Sequence, residues 1–443
     1  MLERFFKKQR KKVTVLGLDG VPYTLLTRLG ADPGGFPNFA RVLSRGTARS
    51  MNASIPEVSS TSWTCFMTAV NPGRHGIYGF TELPATSYAW RFPSFADLKA
   101  RTLWDIAAEH GRRSTIINVP STYPAKPLQG MLVSGFVALD LKKACYPESL
   151  YQYLNRIGYR LDVNTAKAAA GLNELAADIM ETFRKRQEAI LHLHGNGDSD
   201  LFIGTVTETD RLHHYFWDAF EDTKHPQHDF VWSFYRELDV FLGRFVDQLN
   251  EDDPFVMLSD HGFTLIKQEV YLNTFMQERG YLKFDTPNPK TFDTISSDSV
   301  AFVLDPARVY LHRRGRYQRG SVQDGEYESL RESIKSDLLG LKIGGENVIR
   351  EVLYKEQVYS GDCCDDAPDL VALPYDGYDL KGALGKPALS GSGVLSGGHT
   401  RENALLYVNR PISGSKADIV DAGATVLHLL GIEVSGLDGV ALA

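Results

Sequence analysis

The chain has only four cysteines in 443 residues: Cys65, Cys145, Cys363 and Cys364. That is too few for a disulfide framework at this length, and the adjacent Cys363 and Cys364 do not easily pair with each other. Such usage points to a reducing, cytoplasmic setting. No apolar run approaches the length of a membrane span. The opening MLERFFKKQRKK is basic but has no apolar core of the kind a secretory signal needs. Residues 1–12 are read as a solubilising basic tail. The sharper alternative is weak peripheral membrane contact through Leu2, Phe5 and Phe6 beside the lysines. An excess of positive charge is also missing, since 48 Lys and Arg face 55 Asp and Glu for a net charge of -7. This excludes general nucleic-acid binding and fits small-molecule chemistry around local cations. There is no internal repeat and no low-complexity tract. What remains is ordinary globular composition, 43% hydrophobic and 23% charged. It has ample length for a large core, as one α/β unit with insertions or as two domains.

The apolar, β-branched run 13–18 ends in Asp19-Gly20 and predicts a buried strand with a turn at its carboxyl end. Similar runs lie at 114–119, 131–133, 201–206 and 255–258. Helical periodicity lies between them, at 103–110, 176–192 and 233–249. Continuous apolar strands alternating with helices predict a mainly parallel sheet covered on both faces, a three-layer α/β/α sandwich. Ligands of such sheets bind beyond the carboxyl ends of the strands. From about 265 to 349 the character changes to turn-rich sequence followed by a charged helix near 326–339. This stretch is expected to be an inserted cap. The run 367–373 (APDLVAL) is expected to return to the central sheet. A C-terminal helix is expected over 418–430, closed by Gly431.

Polar groups cluster where these elements end. Asp210 and His214 are four apart, so on a helix they share one face; a surface pair would look the same. His213 falls on another face and is expected to pack. Asp260 and His261 would point to opposite faces inside a strand, but at a strand end before Gly262 both can reach one ion. His399 lies in a stretch read as a flexible glycine-rich loop, after Gly397-Gly398. Ser59, in PEVSSTSW, precedes a helix expected over 63–70. There a hydroxyl is either an N-cap or a nucleophile favoured by the helix amides, and Ser60, Thr61 and Ser62 are rivals. Each feature taken singly has a bland reading. Together three Asp, three His and a hydroxyl suffice for two metal ions and a nucleophile. Carboxylates with imidazoles suit Zn²⁺ first and Mn²⁺ second. Two such ions about 4 Å apart can clamp an in-line displacement at phosphorus.

The ordered phrases GLDG, P-x-x-S before SWTCFMTAVNPGRHGIYGF, INVPSTYPA, TETDRLHHYFW, SDHGF, APDLV and GGHT resemble the alkaline phosphatase superfamily. They are most similar to its type I phosphodiesterase/nucleotide pyrophosphatase branch. The resemblance implies an alkaline phosphatase-like catalytic domain over 13–443. It implies one metal on Asp210, His214 and His399, and another on Asp19, Asp260, His261 and the Ser59 oxygen. Ser59 would be the nucleophile that forms a phospho-enzyme. One departure is Ser62, where better-known members carry an Asn that contacts a phosphoryl oxygen. Trp63, Tyr78, Phe80 and Tyr123 are candidate pocket walls, and His75 and Arg74 are near the site in sequence, with His75 expected to brace a loop. Sulfatases share the fold, but Cys65 lacks the C-x-P-x-R context they require. The expected activity is cleavage of a phosphodiester or nucleotide pyrophosphate in a small phosphate-ester or nucleotide substrate. The competitors are a phosphomonoesterase or phosphomutase, which would need an extra cation such as Arg313, Arg314 or Arg316, and a non-catalytic metal-binding relative.

Overall fold

A strand whose six residues are all buried has to lie inside a sheet covered on both faces, and Val13–Leu18 (β1) is such a strand. The computed structural model describes residues 11–443, so the membrane expectation for the basic tail falls almost entirely outside the described residues. No helix among the described residues is long and apolar enough to cross a membrane.

The strands that join β1 are Thr47–Met51 (β2), Ser114–Ile117 (β3), Gly130–Val133 (β4), Cys145–Tyr146 (β5), Leu201–Val206 (β6) and Phe255–Leu258 (β7). After β7 come Gly262–Leu265 (β8), Gln268–Tyr271 (β9), Ala301–Leu304 (β10), Arg308–Leu311 (β11), Lys342–Ile343 (β12) and Glu346–Asn347 (β13). Ile349–Tyr354 (β14), Leu370–Pro374 (β15), Tyr378–Lys381 (β16), Ser390–Gly391 (β17), Gly397–Thr400 (β18) and Ala404–Val408 (β19) complete them. The central sheet has eight strands in the order β2-β19-β7-β1-β6-β3-β4-β5. β1 runs parallel to β6 and to β7, and β3 parallel to β6 and to β4. β19 and β5 are antiparallel to their neighbours.

Side chains alternate across β1. Val13 and Val15 enter one core with Trp63, Phe66 and the helix Ile419–Leu429. Leu16 and Leu18 enter the other, with the helices Leu172–Gly195 and His228–Val246. This is the expected three-layer sandwich. The C-terminal helix opens at Asp418, whose N–H donates to Asp421 Oδ2 at 2.9 Å, and Gly431 follows it at φ +75°, a left-handed conformation that suits glycine.

Three expectations change. The helix expected over 63–70 is Ser59–Thr68, four residues earlier at its start, so Ser59 is its first residue. The run 367–373 does not return to the central sheet. β15 pairs with β11 and β14 in a separate four-stranded antiparallel sheet with β10. A short apolar run has the same pattern in either sheet, and the packing of β10, β11 and the helix Tyr327–Leu339 around β15 decides which. The chain rejoins the central sheet only at β19, so the insertion expected over 265–349 extends well beyond 349. Finally, His399 is not in a loop: β18 pairs antiparallel with β8, with His399 opposite Phe263.

Candidate active site

The carboxyl ends of β1, β6 and β7 lie side by side in the sheet, and all seven expected site residues gather there. Asp19 directly follows β1, its N–H donating to Val206 O at 3.0 Å. Gly20, at φ +67°, turns the chain and donates its N–H to Asp260 Oδ1 at 3.1 Å. β6 leads directly into the helix Glu208–Phe216, which carries Asp210 and His214 on one face. Asp260 and His261 occupy the turn between β7 and β8, both fully buried, and β18 lays His399 against them. Ser59 Oγ is 3.1 Å from His261 Nε2 and 3.5 Å from Asp19 Oδ1. Val58 is the N-cap of that helix and gives no side-chain cap. The Ser59 hydroxyl is therefore not spent on capping and faces the acid–imidazole cluster.

Two groups of donors could each hold an ion: Asp210, His214 and His399, and Asp19, Asp260 and His261. They adjoin, since Asp210 Oδ1 is 3.9 Å from His261 Nε2 and the His261 and His399 rings stack at 3.5 Å. In each of the three histidines Nδ1 meets a backbone carbonyl: Gly397 O at 2.9 Å for His214, Glu57 O at 2.9 Å for His399 and Gly262 O at 3.1 Å for His261. With Nδ1–H donated there, Nε2 presents its lone pair to the cluster, the orientation of a metal-ligating imidazole. His214 Nε2 and His399 Nε2 face one another at 3.1 Å. Asp210 Oδ1 and Asp260 Oδ2 are buried without a hydrogen bond. Orphaned carboxylate oxygens and convergent imidazole lone pairs are what a cation would satisfy.

The electrostatics agree at His214 and His261, where burial favours the neutral imidazole. Burial first, then the Asp260 and Asp210 carboxylates, push Asp19 well above the usual carboxylate range. Burial chiefly raises Asp260 to about 6. Burial holds His214 down at about 4 and His261 well below the ordinary imidazole value. Burial also works against the Asp210 carboxylate, yet His214, His399 and Arg211 hold its pKa well down. For His399 burial is outweighed by Asp210, and its pKa rises.

Further residues brace the site. His213 packs as expected, fully buried between Gly20 O at 3.0 Å and Tyr235 Oη at 2.7 Å. Trp63 Nε1 donates to Asp19 Oδ2 at 3.0 Å, so Trp63 orients a carboxylate and is no pocket wall. Ser62 is tied to Ser54 Oγ at 2.8 Å; the small hydroxyl at the Asn position is used within the protein. Of the candidate walls, Phe80 lines a cavity of about 370 Å³ beside His214 and His399. Tyr78 instead packs on Tyr359 and donates to Cys363 O, and Tyr123 is not among the lining residues. His75 accepts from the Ile77 N–H at 3.1 Å and braces its loop, while Arg74 pairs with Asp438 at 3.0 Å. Arg313 pairs with Asp324, and Arg316 reaches the carbonyls of Asp366 and Ala367. Neither these two nor Arg314 lines the cavity.

The sequence reading missed Arg211, which bonds Asp210 Oδ2 at 3.2 Å and is itself held by Asp162 at 2.7 Å. It also missed the fully buried Arg186–Glu208 pair at 3.1 Å under the same helix. Arg211 stands next to Asp210 in TETDRLHH, which was a usable signal. Asp162 and Arg186 are remote in sequence and gave none.

This sheet, with this cluster at its carboxyl edge, is the alkaline phosphatase-like fold that the sequence led one to expect. The structure is similar to phosphonoacetate hydrolase from Sinorhizobium meliloti 1021, solved with phosphonoacetate, at TM-score 0.66 and 17% identity over 95% of each chain. It is also similar to murine ectonucleotide pyrophosphatase/phosphodiesterase 5, at TM-score 0.57 and 12% identity over 97% of each chain. No curated protein matches the sequence. The chain belongs to the type I phosphodiesterase/nucleotide pyrophosphatase family, whose sequence profile matches residues 13–400.

Proposed function

We propose that the protein hydrolyses a phosphodiester through Ser59 and a phosphoserine intermediate. The observation that carries this is the place of Ser59 Oγ: at a helix start, uncapped, and 3.1 Å from His261 Nε2 where the two donor groups meet. Divalent ions of the Zn²⁺ or Mn²⁺ type, held by Asp210, His214 and His399 and by Asp19, Asp260, His261 and Ser59, would neutralise phosphoryl charge and acidify a bound hydroxyl. The chain does the rest. The amides at the start of the Ser59–Thr68 helix favour a phosphoryl oxygen. Trp63 and Gly20 hold Asp19 and Asp260 in place, and Arg211 does the same for Asp210. Ser59 Oγ attacks phosphorus in line: the Oγ–P bond forms as the bond to the leaving oxygen breaks. The hydroxyl proton is given up to solvent, the leaving oxygen takes one from solvent and departs as an alcohol on the Asp210 side, and the second ester group stays on the seryl phosphate. Water then cleaves the phosphoserine, restoring the hydroxyl and releasing a phosphomonoester.

A diester is preferred over a monoester because the cation beside the site, Arg211, is taken up by Asp210 and Asp162, and among the described residues the cavity offers only Lys381, already paired with Asp379 at 2.6 Å. The test is turnover of bis(4-nitrophenyl) phosphate and 4-nitrophenyl phosphate with Zn²⁺ or Mn²⁺, beside Ser59→Ala. Faster diester cleavage, lost on chelation and in the variant, is the expected result. Preference for the monoester would make it a phosphatase or mutase. Activity surviving in Ser59→Ala would move the nucleophile to Ser60 or Thr61. Bound metal with no turnover would favour a non-catalytic relative.

A further inference from the structure

The cavity of about 370 Å³ opens beside the site, against Glu57 and Val58 of the segment leading to Ser59 and against two of the site's histidines. His214 and His399 line it, whereas Ser59, Asp19 and His261 do not. In the reading above the alcohol departs on the side of Asp210, His214 and His399, and two of these are cavity walls, so the leaving group is what enters this cavity. Its walls include Val58, Phe80, Ile266, Leu380, Leu395 and Pro374. The ionisable groups among the lining residues, besides the two histidines, are Glu57, Asp305, Asp379 and Lys381. Three carboxyl groups and one ammonium, itself paired, offer a phosphate-bearing leaving group no free cation among the cavity's described side chains. Glu57 Oε2 is moreover buried without a partner, and the Asp379–Lys381 pair neutralises the one cation. A nucleobase is also poorly served: the lining aromatics are Phe80 and Tyr378, and Phe80 is engaged edge-on by Phe136 at 5.1 Å.

We infer that this cavity selects an uncharged, apolar alcohol, alkyl or aryl, as the leaving group of the diester; the inference rests on the diesterase reading above. It separates the two substrate classes that reading began with, because cleavage of a nucleotide pyrophosphate expels a charged phosphate.

The test is a series of methyl aryl phosphodiesters with phenol, 4-ethylphenol and 4-butylphenol as leaving groups, whose acidities are nearly matched. The zinc-loaded protein should gain roughly two- to fourfold in kcat/KM per added carbon until the cavity is full. Ile266→Asn and Leu395→Asn, both at half-exposed positions, should flatten the ratio of the butylphenyl to the phenyl ester. Moving the butyl group to the retained side of the diester should gain nothing. Calorimetry should show 4-butylphenol binding more tightly than phenol, with the preference lost in the two variants. A flat series, a gain from the retained side, or faster cleavage of a nucleotide pyrophosphate would overturn the inference while leaving the hydrolase intact. No turnover of any ester would overturn the diesterase reading, and the phenol-binding comparison would still decide the cavity.

Discussion

Removing one of the proposed metal ligands should stabilise this protein when no metal is bound. Asp260 is fully buried and its pKa is raised to about 6 from an ordinary 3.8, chiefly by burial. An acid with a raised folded pKa favours the folded state while protonated. Its contribution is intact below pH 3.8, falls as pH rises, and is lost by the time pH passes 6. The difference between those values corresponds to about 3 kcal/mol of destabilisation at neutral pH. Asp260→Asn removes the charge and keeps an oxygen to accept the Gly20 N–H. For a chain of this size that corresponds to a rise of roughly 3–6 °C in melting temperature. The assay is thermal melting of chelator-treated parent and variant from pH 4.5 to 8. The variant should melt higher at pH 7.5, and the gap should close towards pH 4.5. With zinc restored the order should reverse, because the parent gains stability from ion binding and the variant has lost a ligand. A chelated variant that melts at or below the chelated parent at pH 7.5 would refute the buried-charge reasoning.

Other outcomes follow from the same geometry. His399→Ala should leave one fewer ion per chain by elemental analysis and reduce diester turnover roughly 100-fold or more, since even outer-shell partners are worth 10- to 100-fold. Arg211→Ala frees both Asp210 Oδ2 and Asp162. It should weaken metal affinity roughly 10- to 100-fold by competition with a chromophoric chelator, and Arg211→Lys should recover only part because an ammonium lacks the forked donor geometry; unchanged affinity in the alanine variant would remove Arg211 from the site. Arg186→Met leaves Glu208 buried and unpaired and should cost about 3–5 kcal/mol in denaturant unfolding, a loss that unchanged unfolding midpoints would contradict.

Five strands of the central sheet, and the seven polar residues that the fold brings together at its carboxyl edge, were legible in the chain. Strand burial and helix periodicity are local properties, and the acidic and imidazole groups stand at the ends of the elements those properties define. A register cannot be read that way. His399 follows two glycines and reads as loop, and only the pairing of β18 with β8 turns its imidazole towards Asp210. APDLVAL is apolar enough for either sheet, and its neighbours, not its composition, put β15 in the second one. Ser59 reads equally as cap or nucleophile until the helix start is placed at Ser59 with Val58 as its N-cap. The Arg211–Asp162 and Arg186–Glu208 contacts and the acid-lined apolar cavity likewise join residues far apart in the chain. The sequence by itself determined the fold class and the chemistry of the donors. Tertiary packing alone decided which lone pairs converge, which oxygens are left without a partner and which side of the site is apolar, because each depends on distances between segments that the order of residues does not encode locally.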